Sequence, residues 1–136
     1  MENKEKYCYV CFDGIDKCGK DTIAKYFDYI NRGRFIVKSR GIMSLLAYNK
    51  LYARNRQYNI DESTTLNVYL TVNYEDWKIR CKMNNEPIID YDSNVKVFDD
   101  IYDELLNKNV TILKFDTSTM TQYEIAKAIL GYINHE

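Results

Sequence analysis

The nine residues Gly14-Ile15-Asp16-Lys17-Cys18-Gly19-Lys20-Asp21-Thr22 constrain this chain more than any other part of it. They follow a short apolar β-forming run, Tyr7 to Phe12, and precede a stretch in which Ile23, Phe27 and Ile30 recur at helical spacing. A continuous apolar run of that length suits a strand buried on both faces of a parallel sheet, and Asn31 and Gly33 supply a helix stop. A G-x-x-x-x-G-K run between a buried strand and a helix is a phosphate cradle. Its glycines let backbone N–H groups converge on oxygens, the helix adds its positive end, and Lys20 reaches the β and γ phosphates. A lysine in a helix's first turn opposes the macrodipole unless an anion meets it. The spacing therefore marks Gly14, Asp16, Lys17, Cys18, Gly19, Lys20, Asp21 and Thr22 as a nucleotide-binding segment rather than an ordinary turn. Asp21 stands where serine or threonine is usual. Its carboxylate either ligates magnesium directly or serves as a favourable acid in the first helical turn, with Thr22 bringing a hydroxyl to phosphate.

The remaining pattern alternates. Phe35 to Val37 reads as a second strand, Ile42 to Arg54 as a helix carrying Leu45, Leu46 and Tyr52, and Asn55 to Ser63 as a loop. Leu66 to Val72 follows as a third strand, and Tyr74 to Met83 as a short charged helix around Trp77. Pro87 interrupts the segment from Asn84 to Asp92. A helix entered at Ser93 or Asn94 points Val95, Phe98, Ile101 and Leu105 inward, and Val110 to Phe115 is the fourth strand. Thr121 and Glu124 form a T-x-x-E capping box for a last helix with Ile125, Ile129 and Ile133 inward. Alternation of this kind predicts an α/β fold of about four parallel strands joined by right-handed crossovers. A length of 136 residues suits a single domain over 1–136.

The net charge of −1 provides no global positive field, so phosphate must be bound locally and nucleic acid is disfavoured as a partner. No apolar run approaches the roughly 20 residues that span a bilayer, and the start MENKEK lacks the apolar core of a signal peptide. The expectation is a cytoplasmic protein with no membrane partner. Cys8 and Cys11 form a C-x-x-C without a second pair, and the one histidine, His135, is remote, so both are read as core strand thiols rather than zinc ligands.

Two blocks together resemble the thymidylate kinase family, in particular its compact kinase-like members from bacterial viruses. Phe12-Asp13-Gly14-Ile15-Asp16-Lys17-Cys18-Gly19-Lys20 is similar to F-E-G-x-D-x-x-G-K, and Ser39-Arg40-Gly41-Ile42-Met43-Ser44-Leu45-Leu46-Ala47-Tyr48 to D-R-x-x-x-S-x-x-A-Y. The resemblance implies a three-layer P-loop NTPase fold of the nucleoside monophosphate kinase type with a reduced sheet. It also implies magnesium-dependent transfer of a phosphoryl group from ATP, the co-substrate, to a small phosphorylated acceptor, a deoxynucleoside monophosphate. Lys17, Lys20, Arg40 and Arg80 would be catalytic. Asp16 would meet the acceptor sugar's 3′-hydroxyl, Arg40 its phosphate and Tyr48 its sugar face, with Ser44 beside them. Arg80 and Lys82 would close as a lid, Asp116 and Thr117 would begin the adenine loop, and Asp21 would hold magnesium. A homodimer, and the host cytoplasm for a viral member, are implied as well.

Ser39 departs from the D-R pair and Asp21 from the usual hydroxyl. The short path from the first helix to the strand before Arg40 omits the family's second strand and nucleobase-binding helices. These departures favour an alternative, a nucleotide-binding regulator or protein-interaction module with little turnover. A polynucleotide 5′-kinase is a third reading, against which the slight acidity speaks.

Overall fold

A computed structural model describes residues 6–57 and 62–135; the expected loop from Asn55 to Ser63 and the start MENKEK lie partly outside them. In chain order the elements are β1 (Tyr9–Asp13), α1 (Lys20–Ile30), β2 (Ile36–Lys38), α2 (Ile42–Leu51), a 3-10 turn (Glu62–Thr64), β3 (Thr65–Thr71), α3 (Tyr74–Met83), α4 (Tyr91–Asn107), β4 (Ile112–Asp116) and α5 (Gln122–Asn134). The four strands form one parallel sheet ordered β2-β1-β3-β4.

The two central strands have the continuous apolar sequences that burial on both faces requires. Val10, Cys11 and Phe12 of β1 and Leu66, Val68 and Leu70 of β3 are all 0% exposed. From β1 the chain crosses outward to β2 and then back past β1 to β3, so right-handed connections put α1 and α2 on opposite faces. In keeping with this, α1 packs with α5 and α2 with α4, giving three layers. Phe27 of α1 meets Phe12 edge-on and stacks on Phe35, in each case with ring centroids 5.8 Å apart.

Helix starts show two ways of satisfying free N–H groups. At α5 the predicted capping box is present: Glu124 N donates to Thr121 Oγ1 (3.1 Å) and Thr121 N to Glu124 Oε1 (3.0 Å). At α2 the N-cap is Gly41, which has no side chain to offer, and the cap comes from β1 instead. Asp13 Oδ1 accepts from Gly41 N (2.6 Å), Ser44 N (3.0 Å) and Ser44 Oγ (2.6 Å).

Several expectations shift. α2 ends at Leu51 rather than Arg54, because Ala53 takes a left-handed φ of 51°. α4 starts at Tyr91, ahead of Ser93; Asp90 is left-handed and Ser93 Oγ donates back to Asp90 O (3.2 Å) from within the first turn. Ile30 lies at the helix end and is 42% exposed, whereas Ile23, Ala24 and Phe27 carry the buried stripe. Cys8 precedes β1 and is exposed, not core; Cys11, Cys18 and Cys81 are buried, and none of the four forms a disulfide. Among the described residues no helix is long and apolar enough to cross a membrane.

Candidate functional site

The loop between β1 and α1 is folded by close approaches that its glycines permit. A Cβ at Gly14 would lie 2.5 Å from both Cys18 Sγ and Leu70 O, so only glycine fits between the loop and β3. Gly19, the N-cap of α1, has a φ of 97°, in the region that favours glycine. Lys20, the first residue of α1, is only 4% exposed. Its Nζ donates to Gly14 O (3.2 Å) and Ile15 O (3.4 Å) and lies 3.7 Å from Asp16 Oδ1. The loop thus wraps round the ammonium that its motif supplies.

Beside this loop opens a cleft of about 650 Å³. Four cations line it, Lys17, Lys20, Arg40 and Arg80, together with the oxygen-bearing Asp16, Asp21 and Thr22. These are seven of the residues that the motifs single out, drawn from the loop, the start of α1, the β2–α2 corner and α3. Thr117, just after β4, also lines the cleft, against the loop, with its Oγ1 2.8 Å from Cys18 O.

The cations are not equally available. Lys17 Nζ is 2.8 Å from Glu86 Oε1, and that hydrogen bond raises its pKa above the usual lysine value. Arg80 is bonded to the loop: its Nη1 donates to Lys17 O (2.7 Å) and lies 3.3 Å from Thr117 Oγ1. Lys82, expected beside it, is exposed and does not line the cleft. Arg40 sits at the cleft with its guanidinium over the Tyr48 ring, 5.7 Å from the centroid.

Other expected contacts are displaced for identifiable reasons. Gly14 does not line the cleft; its part is the close packing just described. The Cys18 thiol is 0% exposed and held in its protonated form by burial, and its amide donates to Ile15 O (3.2 Å), so neither group faces a ligand. Ser44 is 1% exposed and occupied by Asp13, which makes it a capping partner of α2 rather than an acceptor contact. Tyr48 stacks on Tyr52 at 5.8 Å, meets Phe98 edge-on at 6.2 Å, and its hydroxyl approaches Asp16 Oδ1 at 3.4 Å. Burial first, and the nearby Asp16 carboxylate second, push the Tyr48 phenol up to about 12, so it stays a donor. Asp116 is turned away from the cleft. It lines a smaller cavity on the α4 side with Lys114 and Asp99, and its Oδ1 accepts from Ser118 N (2.9 Å).

Asn84, Met120 and Gln122 also line the cleft, and the motifs do not reveal them. Asn84 caps the end of α3, and Gln122 opens α5 just after the capping threonine. Their one sequence signal is position beside a helix end, which says nothing about what they face.

The site also fits a magnesium ion. Magnesium takes hard oxygen ligands, usually one or two carboxylates plus substrate phosphates. Asp21 is exposed at the cleft, and no hydrogen bond or ion pair among the described residues engages its carboxylate. It also lines a shallow depression whose other polar residues are Lys25, Asp28 and Ser39. No group of three or more metal-ligating side chains exists among the described residues, so any such ion would depend on phosphate oxygens.

No protein-family model matches the sequence, and no curated protein shows significant similarity to it. Solved structures do match. The YorR protein from Bacillus subtilis, determined in complex with phosphorylated GDP, is 18% identical; the match covers 93% of this chain and 95% of that one, with a TM-score of 0.70. Thymidylate kinase from Candida albicans is 16% identical, over 98% of this chain and 93% of that one, with a TM-score of 0.67. The chain therefore has a thymidylate kinase-like α/β fold.

Proposed function

We propose that this protein is a kinase that moves the γ-phosphoryl group of ATP, with magnesium, to a deoxynucleoside monophosphate. The observation that carries the reading is the convergence of Lys20, Arg40 and Arg80 on one cleft at the N-terminus of α1, beside the phosphate loop. Phosphoryl transfer needs charge and position more than covalent chemistry. In this reading the loop and Lys20 grip the donor's β and γ phosphates, and the first turn of α1 adds its dipole. Arg40, at the opposite wall, takes the acceptor phosphate and brings it in line. Arg80 stabilises the charge on the transferring group with the N–H groups that it does not give to the loop. Asp21 would hold magnesium, which supplies charge neutralisation across the donor phosphates when bound.

A specific observation favours a second reading, a nucleotide-binding module with little turnover. Lys17 is paired with Glu86, Ser44 is buried against Asp13 and Tyr48 is packed among aromatic rings, so much of the expected acceptor side is already engaged. The discriminating experiment is nucleotide consumption with magnesium across the four deoxynucleoside monophosphates, beside calorimetric binding. YorR's complex with phosphorylated GDP makes GTP the second donor to include. Turnover with one acceptor supports the kinase and names its substrate; tight binding without turnover moves the assignment to the module. Ser39→Asp sharpens the choice. A second carboxylate in the depression that Asp21 also lines should lower turnover, whereas a large gain in rate would mean that this chain had lost part of its chemistry at Ser39.

A further inference from the structure

Three successive carbonyls of the phosphate loop are held by side chains from elsewhere in the fold. Asp16 O accepts from Trp77 Nε1 (3.1 Å), Lys17 O from Arg80 Nη1 (2.7 Å), and Cys18 O from Thr117 Oγ1 (2.8 Å), whose one proton it shares with Thr71 O (2.9 Å). The residue between the first two carbonyls, Lys17, has a φ of 68°, a left-handed conformation that a residue with a side chain rarely adopts and that its surroundings must hold. A trans peptide points its N–H opposite to its C=O. Pinning the carbonyls of Asp16 and Cys18 therefore sets the direction of the Lys17 and Gly19 N–H groups. Both residues line the cleft, and neither N–H has a partner among the described residues. The Cys18 N–H, between them, is already bonded to Ile15 O (3.2 Å).

We propose that Trp77 is a positioning residue for phosphate binding, its indole N–H holding the Asp16–Lys17 peptide so that the Lys17 N–H faces the anion. Trp77 itself is 5% exposed and does not line the cleft, so it acts through the loop and not by touching nucleotide. Its ring is fixed in turn by Tyr91 (centroids 5.2 Å apart) and Tyr74 (6.1 Å). With Arg80 on the same helix, Trp77 makes α3 a splint bonded to the loop. The inference rests on the nucleotide-binding reading above.

The test is a double-mutant cycle read by ATP calorimetry. Trp77→Phe keeps an aromatic ring in the packing and removes the donor; it should weaken ATP binding about tenfold, the equivalent of one hydrogen bond of roughly 1.4 kcal/mol. Glycine adopts positive φ without strain. In the Lys17→Gly background the same Trp77→Phe change should therefore cost less than about threefold. Equal losses in the two backgrounds, or unchanged affinity in Trp77→Phe, would overturn the positioning role while leaving nucleotide binding intact. Absence of ATP binding by the native chain would overturn both. Should Trp77→Phe fail to fold, the native protein still decides. Trp77 is the one tryptophan of the chain, so its indole N–H gives a single resonance. Its hydrogen exchange should be strongly slowed without nucleotide, and exchange at the rate of an exposed indole would rule the proposal out.

Discussion

The two walls of the cleft are built on opposite plans. On the loop wall, the carbonyls are tied outward by Trp77, Arg80 and Thr117, while the Lys17 and Gly19 N–H groups and the Asp21 carboxylate have no partner among the described residues. Behind the other wall, where Arg40 stands, the polar groups are already committed without lining the cleft: Ser44 to Asp13, the Tyr48 ring to Tyr52 and Phe98, and the Tyr48 hydroxyl 3.4 Å from Asp16 Oδ1. Arg40 is the cation left at that wall, over the Tyr48 face. A surface that binds phosphate keeps donors unsatisfied until ligand arrives, whereas a surface whose polar groups are satisfied internally is mainly scaffold. On the proposed kinase reading, the contrast means a firm grip on the nucleotide and a minimal one on the acceptor.

The largest effect should separate the walls directly. Lys20→Ala removes the ammonium that the loop encloses and should lower turnover roughly a thousandfold, with weaker ATP binding. Arg40→Ala should lower acceptor-dependent turnover roughly a hundredfold while leaving the calorimetric ATP affinity unchanged. Equal effects on ATP affinity from both substitutions would erase the division between the two walls.

Next in size is the joint between them. Asp13 is 0% exposed and its Oδ1 alone serves three donors of α2. Asp13→Ala would strand those donors and should cost roughly 3 kcal/mol in urea unfolding. Burial raises the Asp13 carboxyl above its ordinary 3.8, with Ser44 and Gly41 opposing the rise through their hydrogen bonds. The native state therefore holds this proton more tightly than the unfolded chain does. The associated stability is fully present below pH 3.8 and is lost as pH rises through the raised native value. Asp13→Asn should flatten that slope in stability measured against pH, and an unchanged slope would assign it to another group. The smallest effect belongs to Thr121→Ala, which removes the capping hydroxyl of α5 at the edge of the cleft and should cost about 1 kcal/mol in urea unfolding.

How legible each part was in the sequence follows from how local its cause is. The loop and α1 are specified by neighbours in the chain: an apolar strand, two glycines at fixed spacing and Lys20 at the helix start. The T-x-x-E cap is equally local, and it formed as expected. The second block is different. Its serine is marked as a site residue only by the family resemblance, and Ser44 finds its partner 31 residues away in Asp13, through a strand crossing that no local pattern encodes. Trp77 reads as the centre of a short charged helix, yet its indole bonds a carbonyl 61 residues earlier in the chain. Cys8 illustrates the converse: its β-forming neighbours suggest core, but the strand begins one residue later.

That last feature has a practical side. Three thiols are sealed in the interior and one, Cys8, stands in solvent, so the folded protein should consume one equivalent of a maleimide and the unfolded chain four. β1 separates Cys8 from the phosphate loop by five residues, roughly 17 Å at the rise of an extended strand. A dye attached there would sit at the opposite end of the sheet from the cleft. The native sequence thus already carries a single attachment point for watching the cleft fill without obstructing it.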